Sequence, residues 1–200
     1  MTVGLIESMR SEAREAPVSG IEAVADYGRE RPGLIPLWSG ESDLATPAFI
    51  ADATVESLRN GETFYTWQGG IPPLRESLAR YHARHFGREF QPDEFIVTGG
   101  GMHAIQMAIA TTVGAGEEAL YLAPAWPNFA AAVGVHGARP VPVPLDFSEN
   151  GWTCDMERLE KAVTPRTRVI FVNSPSNPTG WTADHDTLKA ILNLARRKGL

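Results

Sequence analysis

The sequence predicts an α/β fold in which a mostly parallel sheet carries helices on both faces, preceded by an N-terminal helical and extended segment. From Phe95 onward, short apolar runs alternate with segments whose apolar residues recur at helical spacing. Loops rich in Gly, Pro, Ser and Asn follow several of these runs, as is typical at the ends of buried strands. The 200 residues, 43% of them hydrophobic and 21% charged, are enough to build such a core without disulfide or metal staples.

The first third of the chain predicts helices and turns. Residues 1–33 have helical spacing, and an extended run follows at 34–38. The hydroxyl of Thr46 followed by proline predicts a helix start, and that helix should reach residues 60–61. A second helix should begin near residues 72–73 and end at Gly87.

The remaining two thirds supply the sheet and its helices. The predicted strands are residues 95–98, 119–122, 141–145 and 169–172, and the predicted helices are residues 102–113, 126–136, 156–163 and 184–198. Pro142 and Pro144 weaken the third strand, so we expect it near an edge of the sheet. A sheet of this kind normally continues into another strand, so we expect the sequence to continue beyond Leu200.

Composition excludes several function classes. A net charge of -6 argues against a nucleic-acid partner, because phosphate backbones require clustered Lys and Arg. No apolar run approaches the roughly 18 residues of a membrane span, and a signal-peptide core is absent from the N-terminal residues. The single cysteine, Cys154, fits a reducing compartment. We therefore expect a cytoplasmic protein with no membrane partner.

The segment at residues 173–180, Asn-Ser-Pro-Ser-Asn-Pro-Thr-Gly, directly follows the last predicted strand. Its two prolines fix φ at their positions and a glycine ends it, so the backbone there should form a rigid turn. The amide of Asn177 is held between the prolines at the carboxyl end of a strand, where open α/β sheets place their ligands. An ordinary loop at the end of a strand is the alternative interpretation.

Three glycines join the first predicted strand to the helix after it, in Val97-Thr98-Gly99-Gly100-Gly101-Met102. Backbone N–H groups at a helix start are unpaired, and the helix dipole favours an anion there. Glycine lets the main chain approach a phosphate without a side chain in the way. A tight strand-to-helix turn without a ligand explains the same glycines equally well.

An aromatic residue, Trp126, follows the second predicted strand. Its flat ring could stack on another planar ring, contributing about 0.5–1.5 kcal/mol beyond burial, although a core tryptophan at a helix start is the default interpretation. His82 and His85 lie three residues apart on one helix, but the sequence indicates no third metal ligand, so we interpret them as part of a solvated helix face and expect no metal site.

These loops resemble the motifs of the class I/II aminotransferases, which are pyridoxal 5'-phosphate (PLP) enzymes of fold type I. The matching motifs are Asn-Pro-Thr-Gly at residues 177–180, Thr-x-Gly-x-x-x-Ala at residues 98–104 and Pro-x-Trp at residues 124–126. The resemblance implies that the backbones of Gly101 and Met102 bind the phosphate while Gly100 makes the turn. It implies that Trp126 stacks on the pyridine ring, and that Asn177 donates its amide to the phenolic oxygen O3′.

Further features follow from the same resemblance. Phe129 stands where the family has a tyrosine, so a hydroxyl role is lost there. The resemblance also implies cis peptide bonds before Pro124 and Pro178. Gly40-Glu41-Ser42-Asp43 resembles a Gly-Glu-Pro-Asp segment whose glycine lies at the substrate carboxylate, which makes Gly40 a candidate substrate-binding residue.

Tyr65 lies in a segment, residues 64–72, that resembles the family's Tyr…Gly-x-Pro sequence. In that sequence the tyrosine reaches the phosphate bound by the partner subunit, so the resemblance implies a homodimer with shared sites. An ordinary loop tyrosine is the alternative. Domain boundaries follow in the same way: residues 1–45 would form an N-terminal arm and part of the small domain, and residues 46–200 the first part of the large PLP-binding domain.

The expected function is transfer of an amino group between an amino acid and a 2-oxo acid. The lysine that holds PLP as a Schiff base is expected beyond Leu200, because Lys161, Lys189 and Lys198 lie on charged helical segments. This chain alone would therefore carry no catalytic residue and would be inactive. Two alternatives stay open: a fold-type-I lyase, and a regulatory or non-catalytic module that binds PLP without turnover.

Overall fold

The structure, a computed structural model, describes residues 4–17, 19–38 and 40–200. Predictions that include residues 1–3, Val18 or Ser39 lie, at those positions, outside the described residues. The chain divides into two compact units, one of residues 1–20 with 102–200 and the other of residues 21–101. The domain boundaries expected from the resemblance, at residues 45 and 46, stay a prediction.

Helices account for much of both units. They are α1 Ser11–Arg14, α2 Gly20–Arg29, α3 Ala48–Arg59, α4 Pro72–Phe86, α5 Gly101–Thr112, α6 Pro127–Val135, α7 Met156–Ala162 and α8 His185–Lys198. The last four match the predicted helices to within one residue at each end. Among the described residues, none of these helices has the length and apolar character needed to cross a membrane.

The strands lie in the unit that contains residues 102–200. They are β1 Glu118–Ala123, β2 Arg139–Pro144, β3 Asp146–Ser148, β4 Gly151–Thr153 and β5 Thr167–Phe171. β1 lies between β2 and β5 and is parallel to both, with Leu120 beside Val141 and Ile170. β3 and β4 form a short antiparallel hairpin that the sequence analysis did not predict.

Helices cover both faces of this parallel sheet, as predicted. Alternate residues of a strand point to opposite faces, so Ala119 and Leu120 enter different cores. On one face α5 and α6 pack over β1 and β5, with buried Ile109, Val113, Ala119, Phe129, Val133 and Ala138. On the other face α7 and α8 pack against the sheet. The buried residues there are Leu120, Leu122, Val143, Leu145, Leu159, Ile191 and Leu194. Each fully buried Leu, Ile or Phe contributes about 1.5–3 kcal/mol of transfer free energy.

The predicted edge position of β2 is confirmed, because β1 is its single neighbour in the three-stranded sheet. The N–H of Arg139 donates to Glu117 O at 2.8 Å, and the N–H of Leu145 donates to Ala123 O at 2.8 Å. Alternate N–H groups of a strand point the same way, so the three prolines of β2 stand where N–H groups would face away from β1.

Two local predictions were wrong. Residues 95–98 form no strand, although Phe95 has extended φ and ψ of -117° and 136°. Within the described chain this segment has no neighbouring strand, and the Val97 N–H donates instead to Gly69 O at 3.0 Å. Thr46 does not cap α3, because Pro47 occupies the N-cap position and no side chain caps the helix.

Candidate functional site

The loops that carry the predicted site residues of the larger unit follow β1 and β5 at one edge of the sheet. β1 and β5 are parallel neighbours, so their carboxyl ends meet at the same edge. α5 reaches the start of β1 through a short loop and packs along the sheet through Ile105 and Ile109, with Val113 directly after the helix in the same core. α5 therefore runs antiparallel to β1, and its N-terminal turn, with Met102, points to that same edge.

The glycine turn before α5 is open on its outer side. Gly101 is the first residue of α5, and Gly100 has a φ of 137°, which side-chain-bearing residues rarely adopt. A Cβ built on Gly100 or Gly101 would meet no described atom within 4 Å. Thr98 Oγ1 donates to Gly100 O at 3.0 Å and so fixes the turn. An exposed turn that leads into a helix of 12 residues fits a phosphate group.

Trp126 is the N-cap residue of α6 and is half-buried, so part of its ring surface stays accessible. Phe129, one turn further along α6, is 2% exposed and stacks on Phe171 with ring centroids 4.0 Å apart. Residue 129, where the family has a tyrosine and this chain has a phenylalanine, therefore lies in the core of this protein. The interpretation as a core aromatic applies to Phe129, whereas Trp126 keeps a surface on which a planar ring could stack.

The side chain of Asn177 is exposed, while the loop that carries it is tightly hydrogen-bonded. The N–H of Ser176 donates to Trp181 O at 2.8 Å, and the N–H of Gly180 donates to Ser176 O at 2.8 Å. The predicted cis bonds at Ala123-Pro124 and Asn177-Pro178 are present, and Ser174-Pro175 is also cis. The loop therefore presents one amide, that of Asn177, from a fixed backbone.

Asn173 is a residue to which the sequence analysis gave no role. Its side-chain oxygen accepts from the Asn177 N–H at 3.0 Å and its side-chain nitrogen donates to Pro175 O at 3.3 Å, in the amide orientation that satisfies both groups. The available signal was an amide placed directly after the strand and four residues before Asn177.

Gly40 and Tyr65, like Gly100 and Gly101, belong to the unit of residues 21–101, which is described by itself. Gly40 is exposed. Tyr65 is fully exposed, and its neighbours Phe64 and Trp67 are 87% and 72% exposed. The roles assigned to Gly40 and Tyr65 stay predictions, as do those of Gly100, Gly101, Met102, Trp126 and Asn177.

The lysines of this chain lie on surface helices of the larger unit. Lys161 on α7 pairs with Glu157 at 3.4 Å, and Lys198 on α8 pairs with Glu160 at 3.6 Å. Lys189 is also on α8. The expectation that the Schiff-base lysine lies beyond Leu200 stays a prediction.

The interpretation of His82 as part of a solvated helix face was wrong. His82 is half-buried, and its ring centroid lies 5.4 Å from that of Phe86, 5.5 Å from that of Phe90 and 5.1 Å from that of Phe95. The imidazole therefore packs with these three phenylalanines in an aromatic cluster of the smaller unit. Within the part of the chain that the structure describes, no three His, Cys, Asp or Glu side chains are grouped to hold a metal ion.

A buried carboxylate lies at the opposite, amino end of β1. Glu118 is 1% exposed and accepts hydrogen bonds from Thr164, Arg139 and Arg166 at 2.6, 2.6 and 2.8 Å. The Thr164 hydroxyl above all, and then Arg139, lower the pKa of Glu118 to about 2, against the opposing effect of burial. Both arginines line a cleft of about 470 Å³. This network lies away from the predicted site.

The sequence matches the family model described as aminotransferase class I and II over residues 32–200. It is 36% identical over 192 residues to the probable aspartate/prephenate aminotransferase of Thermus aquaticus, covering 96% of this chain and 50% of that protein. It is 36% identical over 158 residues to the aspartate aminotransferase of Geobacillus stearothermophilus, covering 79% of this chain and 40% of that protein.

Solved structures of aminotransferases share the fold. N-succinyldiaminopimelate aminotransferase from Mycobacterium tuberculosis matches with a TM-score of 0.88 at 31% identity, over 96% of this chain and 50% of that one. Aspartate aminotransferase from Thermus thermophilus with maleate matches with a TM-score of 0.88 at 34% identity, over 96% of this chain and 51% of that one. The predicted α/β fold is confirmed, and the chain spans about half the length of the relatives it matches.

Proposed function

Because the chain belongs to the aminotransferase class I and II family, whose members are PLP-dependent enzymes, we propose that it is the first half of an aminotransferase. The whole protein moves an amino group between an amino acid and a 2-oxo acid. The observation that carries this proposal is the arrangement at one sheet edge: the start of α5, Trp126 and the Asn177 loop all follow the carboxyl ends of parallel strands or point toward them.

The residues present fit PLP in their chemistry: backbone N–H groups for the phosphate, an indole for the pyridine ring and an amide for the phenolic oxygen. The backbone N–H groups of Gly101 and Met102 at the start of α5 would hold the phosphate group, and Gly100 places no side chain in its way. Each favourable charge–dipole interaction of this kind contributes about 0.3–1 kcal/mol, or more where it is partly buried. When bound, PLP supplies an electron sink that lets the α-proton of an amino acid leave.

Trp126 and Asn177 hold the ring in complementary ways. The half-buried indole of Trp126, at the start of α6, would cover one face of the pyridine and exclude water from it. The side-chain amide of Asn177 would donate to the phenolic oxygen and stabilise negative charge there. Its fixed loop means that little conformational entropy is lost when that hydrogen bond forms.

The whole protein works as a homodimer in this proposal. Tyr65 is fully exposed between the exposed side chains of Phe64 and Trp67, and exposed apolar groups of this size are typical of interaction surfaces. In the dimer the Tyr65 hydroxyl binds the phosphate of the partner subunit, and the backbone of Gly40 lies at the substrate carboxylate. A cytoplasmic location belongs to the same proposal and is supported by the single cysteine, Cys154.

Aspartate is the amino donor to test first, because several relatives are named aspartate or aspartate/prephenate aminotransferases. The whole protein is purified with PLP and its visible absorption is followed while aspartate, and then a 2-oxo acid, is added. We expect the absorption to change with the donor and to return with the acceptor. Absorption that no amino acid in a broad panel changes would contradict transamination and favour a PLP-binding module. Ammonia released without any acceptor would indicate a lyase.

A variant separates the site from the rest of the fold. Asn177→Ala should shift the visible absorption of bound PLP, because the phenolic oxygen loses its donor. Asn193→Ala removes the same amide from an exposed position on α8 and serves as the matched control. Equal spectra for Asn177→Ala and Asn193→Ala would remove Asn177 from the site.

A further inference from the structure

Asn173 connects the end of β5 to the loop that carries Asn177. In the amide orientation that satisfies both groups, its side-chain oxygen accepts from the Asn177 N–H at 3.0 Å and its side-chain nitrogen donates to Pro175 O at 3.3 Å, so the amide spans the turn. Asn173 is half-buried, whereas the Asn177 side chain is exposed. The two amides therefore have different tasks, one inside the turn and one facing outward.

The sequence of the turn explains why a side chain is needed there. Pro175 and Pro178 have no N–H, so this stretch has few backbone donors with which to close itself. The Asn177 N–H lies between the prolines and needs an acceptor. An asparagine supplies an acceptor and a donor at once, and Asn173 uses both.

The far side of the same loop is held by other contacts. The Ser174 hydroxyl oxygen accepts from the Ala183 N–H at 2.9 Å. Ser176 is 8% exposed and exchanges backbone hydrogen bonds with Trp181 and Gly180, each 2.8 Å long. These bonds fix residues 176–183, and the Asn173 amide then fixes the backbone of Asn177 from the strand side.

We propose that Asn173 is a positioning residue that aims the Asn177 amide at the phenolic oxygen of PLP, an inference that rests on the function proposed above. Asn173 itself does not touch the cofactor. Its contribution passes through the backbone of Asn177, so removing it should have an effect only while the Asn177 side chain is present.

The first test measures the hydrogen bond itself, without cofactor. Amide hydrogen exchange at the Asn177 N–H should become at least about tenfold faster in Asn173→Ala, because the N–H loses its side-chain acceptor. Asn173→Asp keeps an oxygen acceptor and should keep the N–H protected, which also covers the case in which the alanine variant folds poorly. Unchanged exchange in Asn173→Ala would overturn the inference. Asn193→Ala is the control for a distant amide.

The second test follows the cofactor in the whole protein. The pH midpoint of the visible absorption of bound PLP should move in Asn173→Ala in the same direction as in Asn177→Ala, by a smaller amount. In the Asn177→Ala background, Asn173→Ala should add nothing, whereas a merely structural role would add a further change.

The outcomes separate the two proposals. A wild-type protein that shows no PLP absorption would overturn the proposed function. Normal PLP absorption in the wild type, with a wild-type pH midpoint in Asn173→Ala, would overturn the positioning role alone. A further shift in the Asn173→Ala, Asn177→Ala double variant would do the same.

Discussion

Glu118 and Arg166 form a two-contact ion pair at the amino end of β1, in which Glu118 Oε1 accepts from Nε at 3.0 Å and from Nη2 at 2.8 Å of the arginine. The carboxylate is 1% exposed, while the Arg166 side chain is 63% exposed. Thr164 and Arg139 supply the remaining donors. A buried charge is tolerated here because its oxygens are fully hydrogen-bonded.

Replacing Glu118 with glutamine should destabilise the larger unit. The charge that pairs with Arg139 and Arg166 disappears, and the amide offers one oxygen acceptor where the carboxylate offered two. We expect a loss of about 1–3 kcal/mol in the free energy of unfolding, measured by urea denaturation. Glu157→Gln removes an exposed carboxylate paired with Lys161 and should change little. Equal losses in both variants would contradict the importance of the buried pair.

The same carboxylate should make stability depend on acidity. Folding lowers the pKa of Glu118 from 4.5 to about 2, so its contribution is complete above about pH 4.5 and is lost as the pH falls toward 2. The free energy of unfolding should therefore fall more steeply in the wild type than in Glu118→Gln as the pH is lowered from about 5 to about 3. Parallel pH profiles would show that Glu118 titrates normally.

Alanine at Gly70 should destabilise the smaller unit. Gly70 has a φ of 101°, and a Cβ there would clash with Cγ2 of Val97. Backbone strain and the steric clash together should cost about 1–3 kcal/mol, seen as a lower Tm of the transition that reports residues 21–101.

Gly134→Ala is the control for the Gly70 variant. Gly134 is inside α6, and a Cβ there would meet no described atom within 4 Å. Alanine at a helical position should leave Tm unchanged or raise it, by up to about 1 kcal/mol of stability. Equal changes in Tm for Gly70→Ala and Gly134→Ala would show that the proximity of Val97 does not require a glycine at residue 70.

His136 and Gln106 should be energetically coupled. Their side chains lie 2.9 Å apart, Nε2 to Oε1, and join the end of α6 to the middle of α5. In a double-mutant cycle with His136→Phe and Gln106→Met, we expect a coupling of about 0.5–1.5 kcal/mol in urea unfolding. Additive effects of the two substitutions would show that this hydrogen bond contributes nothing between the helices.

The helices around the sheet could be predicted closely because their end signals are local. Asp155 and Asp184 precede α7 and α8, and their side chains accept from the first N–H groups of those helices. The residue after α8, Gly199, has a φ of 72° and ends that helix. The strand expected at residues 95–98 failed because a strand requires a partner, which no local pattern supplies.

Some residues of the candidate site could likewise be identified from the sequence, whereas the roles of others became visible only in the structure. Trp126 and Asn177 could be singled out because each follows an apolar run in a loop of distinctive sequence. Glu118 carried no comparable signal, since its partner Arg166 lies 48 residues away and is known only from the fold. Asn173 was visible in the sequence, but its role depends on how the turn closes.

The prolines of β2 have a consequence for how this protein meets its neighbours. Pro140, Pro142 and Pro144 stand on the outer side of the edge strand, which therefore offers no backbone donors at those positions, and the Pro144 carbonyl already accepts from Arg158 at 2.8 Å. A foreign strand that docked there would leave its own carbonyl groups unsatisfied. Intermolecular β-pairing, the first step of aggregation, is therefore disfavoured on this flank, whereas β5, the other edge strand of the sheet within the described residues, contains no proline.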